Sequence, residues 1–211
     1  VSIIPTFDQI KIRNQIDVSS VELMKSWRLE PFHNKTFFEL YLGARYLSIE
    51  ERFRFEGAGG SLDGTVLHGN AQNHIVGPQV ALRYEQRVGN WKINADGRFV
   101  AGFNVQNLST SGSVGANVTP GGLNQPFIFQ PTTYRTDKTD NQFSPVAELR
   151  LDAAYAVTKS IAVKAGWTGM FVGRVARGSA LIDYSLAEPG LLSNAEPVFS
   201  NGVNFGIEVN R

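Results

Sequence analysis

Apolar and polar residues alternate with a period of two along most of this chain. From Trp91 to Val105, one side carries Trp91, Ile93, Ala95, Gly97, Phe99, Ala101, Phe103 and Val105. The other side carries Lys92, Asn94, Asp96, Arg98, Gly102 and Asn104, with Val100 the one apolar exception. Successive side chains of a β-strand point to opposite faces, so this pattern predicts a strand with one apolar and one polar face. The same alternation sets Phe38, Leu40, Leu42, Ala44 and Tyr46 against Phe37, Glu39, Tyr41, Gly43 and Arg45. It also sets Ala147, Leu149, Leu151, Ala153 and Tyr155 against Glu148, Arg150, Asp152 and Ala154. Further strands are predicted near 15–29, 74–87, 161–173 and 199–210, which makes seven. No convincing run places apolar residues at i, i+3, i+4 and i+7, so helices are not expected.

The connections differ in length. Tight turns are predicted around Pro31 to Lys35, at Arg87-Val88-Gly89-Asn90 and at Val157-Thr158-Lys159-Ser160. Between them lie polar, Gly-rich stretches near 50–73, 107–142 and 174–198, expected to be long loops. Strict alternation of short and long connections gathers the tight turns at one end, as in outer-membrane barrels. The expectation is one domain over 1–211: an all-β, antiparallel, up-and-down transmembrane β-barrel of about eight strands. An even count needs an eighth strand, which Ile3 to Ile12 can supply if Arg13-Asn14 makes a tight turn; otherwise strands upstream of Val1 close the barrel. A weak repeat marks the hairpins. Asn14-Gln15-Ile16, Asn73-His74-Ile75 and Asn141-Gln142-Phe143 each lead toward a tight turn, with Leu23, Leu82 and Leu149 following.

Composition narrows the function classes. The 20 basic residues nearly balance the 19 acidic ones, so no net field draws the chain to nucleic acid. Mean hydropathy is −0.15, and no stretch reaches the eighteen or so apolar residues of a spanning helix. A membrane protein of this composition is therefore a barrel. There is no cysteine, which removes disulfides and thiolate chemistry. The opening Val1-Ser2-Ile3-Ile4-Pro5 is not a signal peptide, so a mature or truncated chain is expected.

If the apolar face meets lipid, the polar face lines a lumen. It carries Glu22, Glu39, Arg45, Arg83, Glu85, Asp96, Arg98, Glu148, Arg150, Asp152, Lys164 and Glu208. These nearly balanced charges are expected to pair, as a structural core or as pore lining. Glu148, Arg150 and Asp152 are the leading members. Trp27, Phe38, Tyr84, Trp91 and Tyr155 fall beside the short turns, where barrels carry an aromatic girdle at the membrane interface. His33, His68 and His74 have no serine or acid partner fixed by sequence, so no enzyme activity is expected. Asp137, Asp140 and Asn141 read as a solvated loop rather than a metal site, and no cofactor is expected. Within 107–142, Phe127-Ile128-Phe129 is the leading recognition element.

Several stretches together resemble the outer-membrane β-barrel proteins of planctomycetes. They are Leu42-Gly43-Ala44-Arg45-Tyr46-Leu47, Asn73-His74-Ile75-Val76-Gly77-Pro78-Gln79, and Asn141-Gln142-Phe143-Ser144-Pro145-Val146-Ala147-Glu148-Leu149. Ala165-Gly166-Trp167-Thr168-Gly169 and Asn201-Gly202-Val203-Asn204-Phe205-Gly206-Ile207 belong to the same set. The resemblance implies a bacterial outer-membrane barrel, with additional strands upstream and no established chemistry. The close on Val209-Asn210-Arg211 departs from the terminal aromatic residue of many such barrels. The partners implied are membrane lipid and small polar solutes or ions. A soluble, lipocalin-like barrel holding an apolar ligand is the competing expectation, because alternation alone does not say which face points outward.

Overall fold

A computed structural model describes residues 6–29, 36–119, 131–182, 191–192 and 194–209. Among these described residues, nine strands make one antiparallel sheet: β1 (Gln9–Arg28), β2 (Thr36–Ala58), β3 (Thr65–Val88), β4 (Trp91–Val100), β5 (Phe103–Val114), β6 (Thr132–Phe143), β7 (Val146–Ala156), β8 (Ile161–Ala176) and β9 (Ala195–Val209). β4 and β5 follow one another along β3 in a single register, Gln79 facing Val100 and Val76 facing Phe103. β6 and β7 do the same along β5 and β4. Each of these pairs is thus one pass with a local interruption, and nine strands make seven passes. The sheet curls, with β1 and β9 at its two edges.

The expected seven strands are present, and most are longer than the sequence indicated. The stretch 50–73 is not a loop: β2 and β3 stay paired from Gly57↔Thr65 downward, and only Gly59–Gly64, with a 3-10 turn at Gly60–Leu62, joins them. Much of 107–142 is likewise strand, because β5 and β6 pair from Phe103↔Phe143 to Val114↔Thr132. Asp137, Asp140 and Asn141 therefore sit on β6, and His68 and His74 sit within β3. The segment 15–29 belongs to a strand that begins at Gln9, so Arg13-Asn14 makes no turn and Ile3 to Ile12 is not a separate eighth strand. Pro31 to Lys35, His33 and Phe127-Ile128-Phe129 lie outside the described residues.

On β2 and β3 the missed length has one cause: the alternation changes phase. On the outer face of β2, Phe38, Leu40, Leu42, Ala44 and Tyr46 give way to Ser48, Glu50, Arg52, Arg54 and Glu56. On its inner face, Glu39, Tyr41, Gly43 and Arg45 give way to Leu47, Ile49, Glu51, Phe53 and Phe55. β3 inverts at the same level, with Tyr84, Leu82, Val80 and Val76 outward, then His74, Gln72, Asn70 and His68. One zone is therefore apolar outside and polar inside, and the other is the reverse. Leu47, Ile49, Ile75, Val100, Val146, Val172 and Val175 form a buried cluster at the transition.

Glycine and proline mark the same level. Gly77-Pro78, Ala101-Gly102, Ser144-Pro145 and Gly173 line up across the passes. The hydrogen bonds Ala101 N to Pro78 O (3.1 Å), Ser144 N to Gly102 O (2.8 Å) and Gly173 N to Pro145 O (2.9 Å) join them. Proline removes a ladder donor, which interrupts the strands there. A Cβ at Gly77 would collide with the Ala101 carbonyl, and one at Gly102 with that of Ser144. The passes thus approach one another more closely than side chains permit.

Beyond this belt β8 is bulged between Val172 and Val175, where Arg174 takes φ 52°, and it pairs with β9 again at Val175↔Glu196 and Ala176↔Ala195. After Ala176 the chain crosses the concave face as a strap, Arg177 to Ile182, seated on β5, β3 and β2.

Candidate functional site

On the inner face of the first zone, the registers align a row of charges across five strands. Arg28 on β1 faces Glu39 on β2, which faces Arg83 on β3, then Asp96 on β4 and Arg150 on β7. The signs alternate along the row. Arg28 Nη2 lies 2.5 Å from Glu39 Oε1, and Tyr41 donates its hydroxyl to Glu39 Oε2 at 2.5 Å. Arg83 Nη2 lies 3.0 Å from Asp96 Oδ2, with its guanidinium 5.1 Å from the Tyr41 ring centre.

Neighbouring rows interlock with this one. Arg98 on β4 clamps Asp96 through Nε (2.9 Å) and reaches back to Glu22 on β1 through Nη1 (2.5 Å). Gln79 donates to Glu22 at 3.1 Å. Arg45 on β2 bonds Glu148 on β7 through Nη1 at 2.6 Å, and its Nε donates to Ser20 Oγ at 3.1 Å. Arg150 takes the other Glu148 oxygen. The Arg45 and Glu148 side chains are only 7% and 4% exposed. Two buried charges are tolerable because each oxygen of Glu148 has a cation, which offsets the cost of removing them from water.

The network covers β1 to β7 and stops there. Asp152, Lys164 and Glu208 lie on the same face of β7, β8 and β9, yet have no hydrogen bond or ion pair among the described residues. Glu85 pairs at the short-turn end with Arg87 (3.0 Å) and Lys92 (3.4 Å). Around it opens a recess of about 300 Å³, lined by Arg28, Phe37, Glu39, Arg83, Glu85, Arg87 and Lys92. Of the leading trio, Glu148 and Arg150 join the network and Asp152 does not.

Sequence reading missed Arg28, Ser20, Tyr41 and Gln79 as members. Strand parity could have found them, since Arg28 and Ser20 share the face of Glu22, Tyr41 that of Glu39, and Gln79 that of Arg83. His68 and His74 face outward. His74 Nδ1 meets the Tyr46 hydroxyl at 2.8 Å, away from the charged rows. Among the described residues, no three of His, Asp and Glu gather as a metal site would require.

The five aromatic residues gather on the outer face near the short turns. Phe38 and Tyr84 rings lie 5.2 Å apart, and Trp91 and Tyr155 rings 4.9 Å apart. Trp27 is exposed, with the Lys25 ammonium 5.2 Å from its ring centre.

Comparison with known proteins agrees with this architecture. A family model described as "Putative beta barrel porin-7 (BBP7)" matches residues 9–210, and the chain belongs to that family. The expected likeness to outer-membrane barrels is carried at the level of a β-barrel porin family, and the narrower planctomycete assignment is not. No curated protein and no solved structure matches the chain.

Proposed function

We propose that this member of a β-barrel porin family works in the bacterial outer membrane, as a non-enzymatic envelope barrel whose charged inner face lines a narrow polar lumen. The observation that carries the reading is the apolar outer band. On β2 it runs from Phe38 to Tyr46, on β3 from Val76 to Tyr84, on β4 from Trp91 to Phe99 and on β7 from Ala147 to Tyr155. Each run covers nine residues, close to the roughly nine to eleven of a tilted strand crossing a bilayer. Charges occupy the inner face at the same height. A soluble barrel carrying an apolar ligand needs the opposite arrangement in this zone.

In this reading Trp27, Phe38, Tyr84, Trp91 and Tyr155 form the girdle at the short-turn interface, where amphipathic rings are favoured. Membrane lipid is the partner of the outer face, and small polar solutes or ions are the partners of the inner one. The test is gel migration in mild SDS, unboiled against boiled, after refolding with and without detergent, followed by conductance in planar bilayers. Heat-dependent migration that requires detergent is expected. A folded, β-rich monomer in plain buffer with no such shift would overturn the reading.

A further inference from the structure

The concave face beyond the belt is filled by the chain itself. Leu181 and Ile182 are fully buried there, the first against Ala71 and Leu108, the second against Leu67 and Val114. The seat is shaped for backbone: a Cβ at Gly69 would collide with the Gly178 carbonyl, and one at Gly178 would meet the Glu51 carbonyl.

The strap and the end of β8 that leads into it are held to the concave face by side chains of the sheet, while Val175 and Ala176 keep their ladder with β9 and Ile182 bridges Leu191. Asn73 on β3 accepts the Ala176 N–H and donates to the Ala176 carbonyl, both at 2.9 Å. The Arg174 carbonyl accepts from Gln106 (2.9 Å) and Ser144 (3.0 Å). At the far end Glu51 on β2, its side chain 4% exposed, accepts from Ser179 Oγ (2.8 Å) and Arg177 Nε (3.2 Å), and from Asn14 of β1 (2.9 Å). Glu51 is thus the group at which the strap, coming from β8, is joined to β2 and β1.

We propose that Arg177 to Ile182 is a built-in gate that closes the lumen at the end opposite the short turns, with Glu51 as its latch. Ladder hydrogen bonds hold the wall as far as Ala176, while side-chain contacts hold the strap beyond it. The strap can therefore leave without breaking the wall. The proposal rests on the porin-like reading above. A closed lumen in the resting protein is its direct consequence.

The test is conductance of the full chain in planar bilayers, with heat-dependent migration showing that each variant is folded. Glu51→Ala removes the latch from the wall, and Arg177→Gln/Ser179→Ala removes the same contacts from the strap, in case the first variant fails to fold. Either is expected to stay open at least about tenfold longer than the parent, since hydrogen bonds to a charged acceptor are worth that ratio or more. Glu51→Gln, which retains an acceptor for Ser179, is expected to fall between. A parent protein that already conducts as freely as both variants overturns the gate and leaves the porin reading standing. Failure of every folded, inserted form to conduct overturns the porin reading and the gate with it.

Discussion

Arg45 and Glu148 show how one buried pair ties distant strands together. Removing either partner leaves the other charged and out of water. Arg45→Ala or Glu148→Ala is therefore expected to cost about 3–5 kcal/mol, whereas Arg45→Met/Glu148→Leu restores most of it. Urea unfolding in detergent measures both, and equal losses in the single and double variants would argue against an uncompensated charge as the cause. Arg150 is more exposed, so reversing its sign is expected to hurt folding less than reversing Arg45. Outside the membrane band, Asp63 accepts the Gly59 N–H at 2.6 Å, and that bond holds its carboxyl below the ordinary carboxylate value. A depressed folded value gives stability present above about pH 4, lost as pH falls through the lower folded value. The advantage of the parent over Asp63→Asn should thus vanish on acidification, and a gap unchanged between pH 6 and pH 3 would refute the linkage. Which face each charge occupies was legible in the sequence from parity alone. Which charges pair was not, because Glu22–Arg98 and Arg45–Glu148 join strands far apart in sequence, through curvature that alternation does not encode.

β3 carries two environments on one outer face. Leu82 lies in the apolar band, and Gln72 lies beyond the belt. Leu82→Arg is expected to cost about 2–4 kcal/mol in lipid, against about 1 kcal/mol or less for Gln72→Arg at a half-buried polar site. Reversible unfolding from vesicles compares them, and equal costs would remove the boundary between the zones. The band halves of β2, β3, β4 and β7 were readable because one face carries no charged residue. The far halves were hidden for two reasons. On β2 and β3 the apolar residues move to the other parity, as at Tyr46 to Leu47, so a fixed period-two reading loses the strand. β6 is polar on both faces and is held mainly by its ladder with β5, so it resembles loop sequence. The Asn-to-Leu repeat marks passes of one direction but does not preserve their faces. Asn73 points inward, whereas Asn141, opposite the outward Val105, points outward.

At the scale of the whole molecule, the sheet joins two kinds of protein end to end. In the proposed reading one zone meets lipid, with most of its charges turned inward and those of β1 to β4 and β7 largely paired. The other solves the problem of water, with Leu47, Ile49, Ile75 and the strap residues forming an ordinary apolar core. The glycine and proline belt falls where the two solutions meet, and there the backbones of neighbouring passes approach closely. The count of passes also carries arithmetic. The seven antiparallel passes among the described residues leave β1 and β9 pointing the same way along the barrel axis. If these two rims met directly, their seam would be parallel. Copies arranged around an axis normal to the membrane would meet β1 to β9 as well, with the same result. Only an odd number of intervening passes lets every seam of a closed ring run antiparallel, so parity alone determines which closures can match the alternating ladder within the sheet.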